Sequence, residues 1–480
     1  GDVYKRQITN IVTNKSIKTT GNSNGDKLDL NGNDNADRYK WKIVPITSGE
    51  YAGCFFIVSA VKNDNGEEEY AEIISDEDKR DKDGAQVRLW TKVTSIDYEP
   101  RQVWRFEKSD AEYTKFTEEM NDTIVNAFKD QYYKLNSDTG YMAPISDDGF
   151  WGMAEIMESF LDGYETTGKA IYKDMFVTTY DDFIAVNTED WAWKDWNDDI
   201  AWGVLASVRA YLMFGNERYL TLGKNNFDMM FERANNRSDG MLIWKMNHEN
   251  DDTTSCINGP ATVAACYLAI ATGDESYYTK AKNLYDAWRN STMYEREGDE
   301  IGHVWDTMHE YWCSTYNQGT FIGAATMLYQ HYGDESYYED ACNAVNHTMK
   351  ALCYNNILIK EDTDQTDNSK MRGILVRYLR KFIVDFDRSE YLDFFRDNIK
   401  IAWMNRNSKN IQHCIWNKKT SEDITWHSYT AYNVLSLMAN LPTYADELER
   451  DAYSVIEAED MDYTRGLISE DSDSASGGRS

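Results

Sequence analysis

A five-residue turn recurs through the middle of this 480-residue chain and limits what that stretch can fold into. Gly215-Asn216-Glu217-Arg218-Tyr219 reappears as Gly273-Asp274-Glu275-Ser276-Tyr277 and as Gly333-Asp334-Glu335-Ser336-Tyr337, at intervals of 58 and 60 residues. Each copy follows an apolar helical stretch and precedes an amphipathic one. Gly closes a helix in the left-handed conformation, Asn or Asp caps the next, and Glu sits by its positive end. Each copy is therefore the turn of a helical hairpin. Looser versions stand at Gly168-Lys169-Ala170-Ile171-Tyr172 and Asp387-Arg388-Ser389-Glu390-Tyr391.

Helical spacing marks starts near Thr117, Gly152, Lys169, Asp198, Glu217, Gly259, Glu275, Gln318, Glu335, Arg372, Glu390 and His427, which is twelve helices in six hairpins. A period near 60 exceeds the roughly 33–47 residues of common solenoid repeats. Six hairpins with long loops on one face predict an all-α (α/α)6 barrel over residues 112–445. Its inner helices would be the less polar stretches 201–214, 261–271 and 321–329. An open helical solenoid is the alternative. Residues 1–110 are rich in Asn, Asp, Gly and Thr, with short runs such as Phe55-Phe56-Ile57-Val58 between turn clusters, and read as all-β. A further segment, 453–480, begins near Tyr453.

With 82 acidic and 50 basic residues the net charge is −32. That field repels phosphate backbones and anionic surfaces, so neither nucleic acid nor membrane is an expected partner, whereas a neutral polysaccharide is indifferent to it. Seven Cys without a CxxC pair and seven His without HExxH predict no metal site in the helical domain. Cys256 and Cys266 read as small hydrophobes; His248, His303 and His309 read as solvated loop residues. The odd Cys count leaves at least one thiol free or paired elsewhere. No run of about 18 apolar residues is read as a membrane span. The chain opens at Gly1-Asp2-Val3-Tyr4 without Met or a signal-peptide pattern and stops at Gly477-Gly478-Arg479-Ser480, which reads as a fragment cut at both ends. A monomer is expected.

The run Trp191-Ala192-Trp193-Lys194-Asp195-Trp196-Asn197-Asp198-Asp199-Ile200-Ala201-Trp202 carries the candidate chemistry. Glycosidic hydrolysis needs one carboxyl group to protonate the leaving oxygen and another to attack the anomeric carbon or activate water. Neighbouring acids at a helix start put their carboxyls about 5–6 Å apart, which fits retention through a covalent intermediate. Close like charges also raise one pKa and keep a proton on the acid. The plain alternative is a helix cap. Asp147-Asp148, Asp181-Asp182 and Asp251-Asp252 are the same dipeptide without the Trp cluster, and the four Trp set Asp198-Asp199 apart. Aromatic faces stack on sugar rings, so Trp193, Trp196 and Trp202 are expected to line subsites. Trp202, three residues after Asp199, can equally be buried.

The stretch 196–202 resembles the catalytic signature of glycoside hydrolase family 76, the α-1,6-mannanases. In order along the chain, Phe150-Trp151-Gly152-Met153-Ala154-Glu155 resembles the family's first inner helix, and Thr315-Tyr316-Asn317-Gln318-Gly319 its Tyr-Asn-Gln-Gly segment. Met371-Arg372-Gly373-Ile374-Leu375-Val376-Arg377 resembles its late Lys-Gly-Ile-Phe-x-Arg segment, with Met and Arg as departures. The resemblance implies Asp198 as nucleophile, Asp199 as general acid/base, and cofactor-free, retaining endo-hydrolysis of the α-1,6-mannose backbone of mannan by a secreted or cell-surface protein. Trp151, Tyr316, Asn317, Gln318 and Arg377, in the matching segments, are assigned to substrate contact. Amides suit sugar hydroxyls because they both donate and accept; helix capping is the alternative for Asn317 and Gln318. Other readings are another (α/α)6 glycan-active enzyme or an inactive glycan-binding protein. The first includes a transglycosylase, an unsaturated glucuronyl hydrolase or a polysaccharide lyase, although no basic cluster surrounds Asp198.

The flanks carry two further resemblances. Asp83-Gly84-Ala85-Gln86-Val87-Arg88-Leu89-Trp90 with Arg101-Gln102-Val103-Trp104 is similar to a ricin-type β-trefoil repeat with its Gln-x-Trp ending. A looser copy runs from Asn24-Gly25-Asp26 to Tyr39-Lys40-Trp41. Two of three repeats imply a partial trefoil carbohydrate-binding module, with Trp41 and Trp104 as core in the alternative reading. Val455-Ile456-Glu457-Ala458-Glu459 resembles the first strand of a family 6/35-like β-sandwich carbohydrate-binding module, where Glu457 and Glu459 would be ligands of a structural calcium.

Overall fold

The computed structural model describes residues 9–441 apart from 11–14, 32–35, 47–50, 52–53, 74–85, 94–98, 105–117, 145–148, 247–251, 362–366 and 424–427. The C-terminal module with Glu457 and Glu459, His248, and the pair Asp147-Asp148 lie outside the described residues. The chain divides into two units, Gly1–Lys115 and Phe116–Ser480.

In the first unit, β1 (Thr9–Asn10), β2 (Lys15–Thr19) and β3 (Leu28–Asn31) form one antiparallel sheet. The strands β4 (Trp41–Pro45), β5 (Phe55–Lys62), β6 (Glu68–Ile73) and β7 (Val87–Thr91) form a second, both in chain order. Trp41, Ile57, Ala71 and Leu89 make its core. The indole of Trp41 donates to the Ile17 carbonyl and that of Trp104 to the Ala71 carbonyl, each at 3.0 Å. Buried indoles need such partners; Trp41 is core, and Trp104, half-buried, packs against it. Gln102 is spent in the same way, accepting from the Val93 amide and donating to the Thr91 carbonyl and Glu72.

The second unit contains α1 (Glu118–Tyr132), α2 (Gly149–Thr167), α3 (Ala170–Asn187), α4 (Asn197–Phe214), α5 (Glu217–Ala234) and α6 (Ser255–Thr272). There follow α7 (Glu275–Arg289), α8 (Thr315–Tyr332), α9 (Glu335–His347), α10 (Arg372–Phe386), α11 (Leu392–Asn405) and α12 (Ser428–Ala439). The recurring turn is built as its chemistry demands. Gly215, Gly273 and Gly333 close α4, α6 and α8 in the left-handed conformation, and the side chains of Asn216, Asp274 and Asp334 accept from the amide two residues on. At the loosest copy Asp387 takes the left-handed position at φ 50°.

The even-numbered helices pack in the order α2, α4, α6, α8, α10, α12, and α12 returns to α2. The ring is closed, so the unit is a barrel and not an open solenoid. Along this ring side chains are buried on nearly every face, as the many small and apolar residues of α4, α6 and α8 allow. The odd helices pack outside, and α5, α7, α9 and α11 each bury one face. By length and composition α6 is apolar enough to cross a membrane, which the run-counting of the sequence missed. It is 78% buried among its neighbours. It also begins four residues before the expected Gly259 and carries Pro260 inside. Gly259 serves close packing, since a Cβ there would meet Thr320 Oγ1 at 2.2 Å. None of the seven Cys forms a disulfide.

Candidate active site

Alternate helices of the hairpins run the same way, so the inner helices gather their N-termini at one mouth of the barrel. α4 brings Asp198 and Asp199 there in its first turn. Trp196 is the residue before the helix and supplies no side-chain cap, so neither acid is the capping residue and both sit by unsatisfied N–H groups. Asn197 sets this start. Its amide nitrogens donate to the Trp244 and Ile243 carbonyls at 2.8 Å each, and its Oδ1 accepts from Arg233 at 2.7 Å. Arg233 also donates to the carbonyls of Ala192 and Lys194. Buried Trp191, edge-on to Phe150, anchors the beginning of the loop.

Asp198 is half-buried. Its Oδ2 accepts from the Cys256 thiol at 3.4 Å, and its Oδ1 has no partner. Burial, then the charge of Asp199, pushes its pKa up to about 8; Trp244, nearby but outside hydrogen-bond geometry, and Cys256 oppose this. Burial and Asp198 together raise the Cys256 thiol well above its ordinary range, so it stays a proton donor. Asp199 is buried and receives Lys194 Nζ at 2.7 Å. Burial raises its pKa, and the ammonium of Lys194 offsets part of the rise. The control pair behaves otherwise: Asp181 pairs with Arg218, and Asp182 Oδ1 accepts from both Asn136 and Thr139.

The expected substrate contacts separate. Trp151 is half-buried with Lys370 Nζ 4.8 Å above its ring. Trp202 is 2% exposed beneath it, with ring centroids 6.4 Å apart, which is the buried alternative. Trp193 is 56% exposed and Trp196 half-buried under Lys245 at 4.0 Å. Tyr316 and Asn317 both donate to Asp306 Oδ1 at 2.8 Å, leaving Asn317 Oδ1 buried without a partner. Two expectations are corrected. Gln318 is fully buried, and its amide accepts from the Val304 N–H and donates to Gly302, Ala344 and Thr348, so nothing is left for a sugar. Arg377 is buried with Arg209 in an ion cluster formed with Glu155, Glu158 and Asp162, so its charge is engaged by protein carboxylates. His303, read as solvated, is 3% exposed and stacked on His347, while His309 is exposed.

Sequence reasoning missed Lys194, Cys256 and Asp306. Lys194 lies within the Trp-rich run, but only its ion pair with Asp199 marks it. Nothing local marks Cys256 or Asp306, which reach the site only because α6 and the loop before α8 lie beside α4.

Residues 116–450 match the family described as glycosyl hydrolase family 76. Over 210 residues the chain is 27% identical to the mannan endo-1,6-alpha-mannosidase DCW1 of Candida glabrata, covering 38% of this chain and 46% of that protein. It thus spans about half the length of this curated relative. The GH76A alpha-1,6-mannanase of Salegentibacter sp. HEL1_6 shares the fold with a TM-score of 0.59 and 24% identity, over 67% of this chain and 98% of that one. An inactive variant of that mannanase, with two consecutive Asp replaced by Asn and bound to alpha-1,6-mannotriose, aligns with a TM-score of 0.60, 24% identity and the same coverage of both chains.

Proposed function

Since the chain belongs to glycosyl hydrolase family 76, we propose that it hydrolyses α-1,6-mannosidic bonds within a mannan backbone, with retention. The observation that carries the reading is the adjacent pair at the start of α4, whose Asp198 Oδ1 is buried without a partner. An acceptor held dry and unsatisfied costs free energy unless a reacting group completes it.

Asp198 attacks the anomeric carbon while Asp199 gives its proton to the departing glycosidic oxygen, and the carbon–oxygen bond breaks. Asp199 then takes a proton from water, the water oxygen attacks the same carbon, and Asp198 leaves. Carboxyls this close titrate as a pair. Burial favours the neutral form at Asp198, and Lys194 favours the ionised form at Asp199. The reaction needs the reverse. The positive charge developing on the sugar beside Asp198 draws that carboxyl to its ionised form. Trp151, Trp193 and Trp196 offer ring faces, and the vacant Oδ1 of Asn317 offers an acceptor for a hydroxyl. For residues 1–110 we propose a ricin-type sugar-binding role, and for the whole a place outside the cell or on its surface, where a polymeric substrate is met.

Debranched α-1,6-mannan with the protein should release short manno-oligosaccharides, followed as new reducing ends. D198A and D199A should each lower the rate by about 10³-fold or more. Azide should restore turnover of an activated mannoside by D199A with retained configuration, and by D198A with inverted configuration. No release by the parent protein overturns the reading; equal activity of the variants overturns the assignment of roles.

A further inference from the structure

A second cluster of reactive side chains lies in the helical unit away from Asp198 and Asp199. The loop between α7 and α8 carries His303 and Cys313, and α9 ends on His347. The candidate donor atoms of these three residues all lie within 4.8 Å of one another. Both imidazoles are almost completely buried, at 3% and 2% exposure, and lie nearly parallel with ring centres 4.8 Å apart. None of their four ring nitrogens has a hydrogen-bond partner. A buried imidazole nearly always finds a partner for at least one nitrogen, and four orphans in one place call for a ligand. Glu300 stands at the edge, its Oε2 3.7 Å from His347 Nδ1.

The surroundings bring these side chains together. The Gln318 amide binds Gly302 and Val304, on either side of His303, and Ala344 and Thr348, on either side of His347. Gly302, at φ 91°, presses the loop onto α9 so closely that a Cβ would lie 2.0 Å from the Asn343 carbonyl oxygen. Cys313 is bridged to Trp305 in antiparallel fashion. One polar bracket, one glycine and one strand bridge thus bring two imidazoles and a thiol together from a long loop and the end of α9. No compact motif exists for a sequence reading to find, which is why none was expected here.

We propose that His303, Cys313 and His347 bind a zinc ion, with the Glu300 carboxylate completing a tetrahedral set. Two nitrogens, one sulfur and one oxygen suit zinc, at roughly 2.0–2.3 Å from each donor. That geometry asks the donors to draw together by about 1 Å. Binding replaces the thiol proton of Cys313, which leaves to solvent as the sulfur–zinc bond forms. The ion fastens the loop that also carries Asp306, the residue that orients Tyr316 and Asn317 at the barrel mouth. This inference does not depend on the proposed mannanase activity, and its test reads metal binding directly.

The full chain, stripped with chelator, is titrated with Co²⁺ and then Zn²⁺. One Co²⁺ per chain is expected, with a thiolate-to-cobalt charge-transfer band that Zn²⁺ abolishes. Cys313→Ser, which keeps size and polarity and is checked for folding by circular dichroism, should lose the band and weaken zinc binding on the order of 100-fold. His303→Ala should weaken it similarly. Zinc should raise the Tm of the parent but not of C313S. Absence of the band in the parent, or equal zinc binding by parent and C313S, overturns the proposal. Calcium in excess serves as a control for cations held by the acidic surface, and displacement of zinc by calcium also overturns it.

Discussion

Lys194 sits 2.7 Å from the carboxyl expected to hand a proton to the leaving sugar. Its ammonium stabilises the ionised form of Asp199 and so lowers the pH at which the acid loses its proton. K194M should therefore move the alkaline limb of the kcat/KM profile upward by about one pH unit, read from profiles of both proteins. Asp198 pays into stability with the opposite sign. Its folded pKa lies far above its ordinary 3.8, so its contribution is full below that value and is lost as pH rises toward about 8. D198N, which cannot ionise, should gain about 1–2 kcal/mol over the parent at pH 8, and the gain should shrink toward pH 4, followed by urea unfolding. The Asp198-Asp199 pair could be singled out in the sequence because Trp neighbours distinguish it from other Asp-Asp pairs. Lys194 and Cys256 could not, since their roles depend on burial and on contacts that no single segment contains.

At the level of elements, Gln318 ties the loop after α7 to the end of α9 through four hydrogen bonds. Q318A leaves several buried backbone groups unsatisfied and should cost about 2–4 kcal/mol, seen as a lowered denaturation midpoint. A substrate contact would instead raise KM at unchanged stability. Gly302→Ala should cost at least about 2 kcal/mol, because both the left-handed backbone and the Asn343 carbonyl oppose a side chain. The helices themselves were legible from their Gly-Asp-Glu turns, and most starts fell within a residue or two. The larger errors came at α2, α6 and α8, where helices begin three or four residues early. There the first turns are buried in the barrel mouth and tertiary packing extends them.

For the whole molecule, closure of the ring depends on α12 meeting α2, which lie far apart in the chain. Twelve helices of hairpin spacing predicted a barrel, but the contact that distinguishes it from a solenoid has no local signature. The buried ion cluster crosses this seam: Arg377 of α10 and Arg209 of α4 hold Glu155, Glu158 and Asp162 of α2, and Ser436 of α12 donates to Asp162. Burial would raise Asp162, yet the two guanidiniums hold it below its ordinary range, while Glu155 is pushed up to about 7 by burial. R377M strands carboxylates in the core and should cost about 3–5 kcal/mol, measured as a fall in Tm of about 10 °C. Arg377 matched a family segment in sequence, and only its surroundings show that its guanidinium ties α10 to α2. The same hairpin architecture gives the barrel two unequal ends. At one, two-residue turns such as Gly215-Asn216 leave no room for change; at the other, long loops surround the carboxylates. Natural variation can therefore lengthen, shorten or reshape one rim, and with it the choice of glycan, while the opposite rim preserves the architecture untouched.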